Sequence, residues 1–125
     1  MIKKRVLEPT RVRRVNGSFS FIPHCFLSDG FWASLNQHEL VLYLFLVLAS
    51  DKRGLSYYSS KRICSLLGIS HDEYITTRDR LIARDLIAFN GTIFQVLELP
   101  ARPITELPKT ARSLAELINQ VVKEV

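Results

Sequence analysis

From Leu40 to Ala49 ten consecutive residues are apolar, and the rest of the chain is arranged around this run. A helix that crosses a bilayer needs about 20 such residues, so this one predicts a buried helix instead. Asn36 precedes the run and Glu39 follows Asn36 by three, the pairing that caps a helix start from both sides. A helix without a polar face has to be covered all round. It is therefore the central helix of the domain, or it turns one side to a second copy of the chain.

The flanking segments are periodic. Ser18 to Ile22 alternates polar and apolar before Pro23, which predicts a short edge strand or an extended lead-in. A turn at Ser28-Asp29-Gly30 follows, and Phe31, Trp32 and Leu35 at helical spacing predict a short first helix. Beyond the apolar run, Asp51 to Gly54 forms a turn and Leu55 to Tyr58 a brief strand, one of whose tyrosines packs beneath the later hairpin. Ser59 caps a helix to about Leu67, with Ile63, Leu66 and Leu67 inward and Cys64 beside them. Gly68 ends it and Ile69 fills the corner. Ser70 with Glu73 makes a second capping box for a helix through about Arg84, with Tyr74, Ile75, Arg78, Leu81 and Ile82 on or beside its inner face. Leu86 to Phe89 and Thr92 to Leu97 flank Asn90-Gly91, which predicts a tight hairpin. Pro100, Pro103 and Pro108 mark a linker over 100–108. Over 109–125, Leu114, Leu117, Ile118, Val121, Val122 and Val125 line one face of a C-terminal helix.

Composition narrows the picture. A chain of 125 residues, 47% hydrophobic, predicts one domain with short tails and leaves little room for a large enclosed catalytic cleft. The net charge of +5 is concentrated: residues 1–16 hold Lys3, Lys4, Arg5, Arg11, Arg13 and Arg14 against Glu8 alone, and the remainder is neutral. Such an arm suits an acidic partner, and its arginines suit phosphate. The basic start lacks the apolar stretch of a signal peptide, which places the chain in the cytoplasm, and in that reducing compartment Cys25 and Cys64 read as free core-lining thiols.

The order helix, short strand, helix, glycine turn, helix, hairpin is what a winged helix-turn-helix requires, a mainly α fold with a small β-hairpin. Ser59-Ser60-Lys61-Arg62-Ile63-Cys64-Ser65-Leu66-Leu67-Gly68-Ile69-Ser70, then Tyr74 to Leu81, then Asp85-Leu86-Ile87, resembles the helix-turn-helix core of bacterial winged-helix regulators and replication initiators. Asp85 stands where many members have glycine. The resemblance covers about residues 36–99 and implies a winged-helix domain over 17–99 between the arm and the linker. More loosely, Gly54 to Tyr58, Asp85 to Ala88 and Gln95 to Leu97 look like small winged-helix proteins associated with bacterial mobile elements.

On this reading the chain binds double-stranded DNA, as a transcriptional or a mobile-element or replication accessory factor. Arg11, Arg13 and Arg14 of the arm and Lys61 and Arg62 of the supporting helix meet phosphates. Thr76, Thr77 and Arg80, on the outward face of helix 71–84, meet base edges, with Arg84 at the far end. Two features oppose it: Asp72 and Glu73 head that helix, and the hairpin tip has no Lys or Arg. The alternative is a protein-interaction module that docks a partner without specific DNA binding; an RNA partner is a third reading. The C-terminal stripe serves a homodimer or docks on its own domain. No catalytic, metal or cofactor site is expected, since His24, Cys25, His38, Cys64 and His71 lack ligand spacing and the glycines are turn residues.

Overall fold

A computed structural model describes residues 2–105. The C-terminal helix expected over 109–125 and the last part of the linker lie outside the described residues. The described part is mainly helical, with a small three-stranded antiparallel sheet. Among the described residues no helix is long and apolar enough to cross a membrane.

The central helix, which we number α3 with its two short predecessors, spans Gln37–Ala49. Its capping box is formed as the sequence predicts: Glu39 N–H donates to Asn36 Oδ1 at 2.8 Å, and Asn36 N–H donates to Glu39 Oε1 at 2.7 Å. Two single-turn helices come first, α1 at Cys25–Ser28 and α2 at Phe31–Ser34. The first is not foreseen, because Pro23-His24 reads as the end of an extended segment while Pro23 in fact supplies the carbonyl that accepts from Phe26 N–H. Residues 18–22 form no strand; Ser20 Oγ donates to the carbonyl of Ser50, the residue that caps the end of α3, at 3.4 Å.

After α3, Asp51 folds the chain back. Its carboxylate accepts from the backbone N–H groups of Leu55 and Arg53, and these bonds hold the carboxyl below its ordinary pKa. Strand β1, Leu55–Ser56, pairs with β3, Phe94–Val96, and β3 pairs with β2, Ile87–Phe89, giving the order β1-β3-β2. Gly54 lies where β1 meets β3. Its φ is +83°, its carbonyl accepts from Val96 N–H at 2.8 Å, and a Cβ there would stand 2.5 Å from the Val96 carbonyl oxygen. Gly54→Ala should therefore destabilise the domain by about 1–3 kcal/mol, measured as a lower urea midpoint at unchanged slope.

Two further helices, α4 at Ser60–Leu67 and α5 at His71–Ala83, are joined by Gly68, Ile69 and Ser70. Ser59 and Ser70 accept from the backbone at N3 as expected, and Gly68 caps α4 in the left-handed conformation. Asp85 is the one non-glycine residue with positive φ among those described, at +62°. The hairpin reversal is shifted by one from the expected Asn90-Gly91. Asn90 Oδ1 accepts from the N–H groups of Thr92 and Ile93, so the central pair is Gly91-Thr92, with Gly91 at φ +97°.

Leu42, Tyr43, Leu46 and Val47 of α3 meet Ile63 of α4, Tyr74 and Leu81 of α5, and Leu86, Ile87 and Phe94 of the hairpin in one core. Phe26 stacks on Tyr43 at 5.0 Å between ring centres, which ties α1 to α3. Two inward assignments are corrected: Leu66 and Ile82 are exposed. Neither tyrosine lies beneath the hairpin, since Tyr58 packs edge-on against Phe45 of α3 and Tyr57 is exposed.

Candidate nucleic-acid interface

Helix α5 carries the residues expected to read DNA, and its orientation decides which of them can. Tyr74, Thr77, Leu81 and Arg84 form its buried side. Thr77, expected to point outward, is only 4% exposed, so it is corrected to an interior residue. Arg84 is likewise corrected from the outward face: it is 5% exposed.

The cause is Glu39, which is fully buried. Its Oε1 serves the capping box, while its Oε2 accepts from Arg80 Nε at 3.0 Å and from Arg84 Nε at 3.1 Å. A carboxylate withdrawn from water requires such partners, and two guanidiniums one helical turn apart on α5 supply them. Arg84 also donates from Nη1 to the Ile104 carbonyl at 2.7 Å, which ties the segment around Ile104 to the domain. Arg80 is thus held against α3 rather than extended as a fork toward a base. Sequence reading assigned Glu39 only a capping role, and nothing local marks it as the anchor of α5.

Arg78, the remaining cation of the helix, is also engaged. Its guanidinium lies 5.5 Å from the Tyr74 ring centre and 5.2 Å from that of Phe89, and it pairs with Asp79 at 3.0 Å. These contacts join α5 to strand β2. Burial, opposed by Arg78, raises the Tyr74 hydroxyl above the ordinary tyrosine pKa and keeps it protonated.

The side of α5 opposite the core therefore presents Asp72, Thr76, Asp79 and Ile82, with Glu73 at its edge, while Ile75 packs against the core. Of the three expected base readers, Thr76 alone keeps a partly exposed side chain without a buried ion-pair partner. It borders an open cleft of about 280 Å³ between the starts of α3 and α5, shared with Asn36, His38, Asp72, Glu73, Thr77 and Arg80. There His38 Nε2 lies 3.4 Å from Glu73 Oε2.

The phosphate-contact candidates are all exposed. Lys61 and Arg62 stand at the first turn of α4, and Arg11, Arg13 and Arg14 lie along the arm, which makes one 3-10 turn at Pro9–Arg11 and is exposed throughout residues 2–16. Lys52 and Arg53, read in the sequence only as part of a turn, add two exposed cations before β1. Among the described residues no group of His, Cys, Asp and Glu is placed to hold a metal ion. No protein-family model, curated protein or solved structure matches the chain.

Proposed function

We propose that this chain binds double-stranded DNA through a winged helix-turn-helix, as a bacterial transcriptional or mobile-element or replication accessory factor. The observation that carries the reading is the α4–turn–α5 unit backed by a β1-β3-β2 sheet, with exposed cations at the start of α4 and along the arm. Arg11, Arg13, Arg14, Lys61 and Arg62 grip phosphates. Thr76 meets a base edge or thymine methyl, and Arg80 positions α5 through Glu39.

Selection of bound fragments from a random duplex pool, run beside single-stranded and RNA competitors, tests this. The expected result is an enriched duplex motif, relaxed at one or two positions by Thr76→Ala. Equal retention of all three nucleic acids would defeat it.

A second reading is favoured by one observation: the solvent side of α5 is acidic and apolar, and its arginines are engaged by the fold. On that reading the same face docks a protein. Asp72→Asn with Asp79→Asn separates the two. If α5 enters a groove, removing two carboxylates that repel phosphate raises duplex affinity; if α5 stays clear of DNA, affinity is unchanged.

A further inference from the structure

One stretch of the chain carries charge of a single sign. From Lys52 to Ser70 there are four cations, Lys52, Arg53, Lys61 and Arg62, and no Asp or Glu, in contrast to the acidic start of α5 that follows. The stretch runs from the turn after α3 through β1 into α4, and all four cations are exposed. Lys61 and Arg62 form no ion pair among the described residues.

Tyr57 stands in the middle of it. Its neighbour Tyr58 turns its ring to Phe45 of α3 at 5.1 Å, whereas Tyr57 is 73% exposed, and its side chain makes no hydrogen bond or ring contact among the described residues. The sheet register gives its place. Ser56 is paired with Phe94, so one step further along the ladder Tyr57 comes abreast of Ile93, whose carbonyl accepts from Asn90 N–H at 3.2 Å and closes the hairpin loop. Two residues after Tyr57, Ser59 accepts from Arg62 N–H at 3.1 Å and starts α4. Tyr57 thus lies between the hairpin tip, exposed over residues 90–93 and without a cation, and the cations of α4. The backbone from Tyr57 to Lys61 spans at most about 14 Å, so side chains at its two ends reach neighbouring phosphates of one strand.

We propose that Tyr57 is a further contact to the duplex backbone: its hydroxyl donates to a phosphate oxygen and its ring lies on the adjoining deoxyribose, beside the phosphates held by Lys61 and Arg62. The proposal rests on the DNA-binding reading above and gives the hairpin side of the interface a contact that the tip itself lacks. A tyrosine suits the position, since its hydroxyl donates to phosphate without a charge of its own and its ring covers the less polar sugar.

Binding of a fluorescein-labelled duplex of mixed sequence to the full chain, followed by anisotropy, tests it. Tyr57→Phe, which loses the hydroxyl alone, should weaken binding about fivefold, and Tyr57→Ala, which loses the ring as well, about twentyfold. Neither variant removes a cation, so both should keep the wild-type slope of log affinity against log salt, unlike Lys61→Gln. Their unfolding midpoints should match the wild type, because the ring packs on nothing. Tyr57→Ala binding as tightly as the wild type overturns the proposal and leaves the DNA-binding reading intact. An unaffected Tyr57→Phe also overturns it, since the hydroxyl then meets no phosphate. A wild-type chain that fails to bind the duplex overturns both. Should Tyr57→Ala not fold, iodination of the wild-type chain decides: saturating duplex should suppress labelling of Tyr57, and equal labelling with and without duplex defeats the proposal.

Discussion

Glu39→Ala is expected to destabilise the domain by about 3–5 kcal/mol, and the loss should appear as a reduced urea midpoint. Three contacts go at once: the reciprocal cap on Asn36 N–H, the acceptor for Arg80 at 3.0 Å and the acceptor for Arg84 at 3.1 Å. The dominant part is the guanidinium of Arg84, which stays buried with its charge unopposed and only the Ile104 carbonyl to hold it. Glu39→Gln keeps a capping oxygen and one neutral acceptor, so its loss should be smaller. A Glu39→Leu, Arg84→Leu pair should recover much of the stability lost by Glu39→Leu alone, because a buried ion pair removed whole leaves no charge stranded. A Glu39→Ala loss below about 1 kcal/mol, the range of solvent-exposed pairs, would mean that water reaches these groups and that α5 is oriented by its apolar contacts alone.

The same ion pairs explain where sequence reading succeeded and where it failed. From α3 to α5 the order and starts of the helices were legible because they rest on local chemistry, whereas α1 and the centre of the hairpin turn were not. Asn36, Ser59 and Ser70 cap three helices through their own side chains, and Gly68 stops α4 where a left-handed residue is needed. The roll of α5 about its axis was not legible. Hydrophobicity places Ile82 inward and Thr77, Arg80 and Arg84 outward. The structure reverses this through a carboxylate 41 and 45 residues away from its two arginine partners, a pairing that no local pattern announces. The candidate site divides along the same line. Lys61, Arg62 and the arm arginines are exposed as their setting suggests, while two of three expected base readers on α5 are absorbed by the fold. The shifted hairpin turn has a similar cause on a smaller scale. Asn90 spends its side chain on the Thr92 and Ile93 N–H groups, so the reversal centres one residue later.

On the proposed DNA-binding function, with Arg80 committed to Glu39, attraction to the duplex rests on the arm and α4, and the salt dependence of binding should report it. Five phosphate contacts by Arg11, Arg13, Arg14, Lys61 and Arg62 correspond to a slope of log affinity against log salt of about −4.5. Raising salt fourfold then weakens binding by roughly 500-fold. Arg11→Gln, Arg13→Gln and Arg14→Gln together leave two contacts, for which the slope is about −1.8 and the same change in salt costs only about twelvefold. All three side chains are exposed and make no contact with the core, so the folded domain and its unfolding midpoint should be unaffected. Lys61→Gln with Arg62→Gln should flatten the slope by a smaller step. Duplex binding by the triple variant at the original slope would remove the arm from the interface. It would leave the cations of α4 and the turn at Lys52-Arg53 to carry an attraction that their number cannot supply at that steepness.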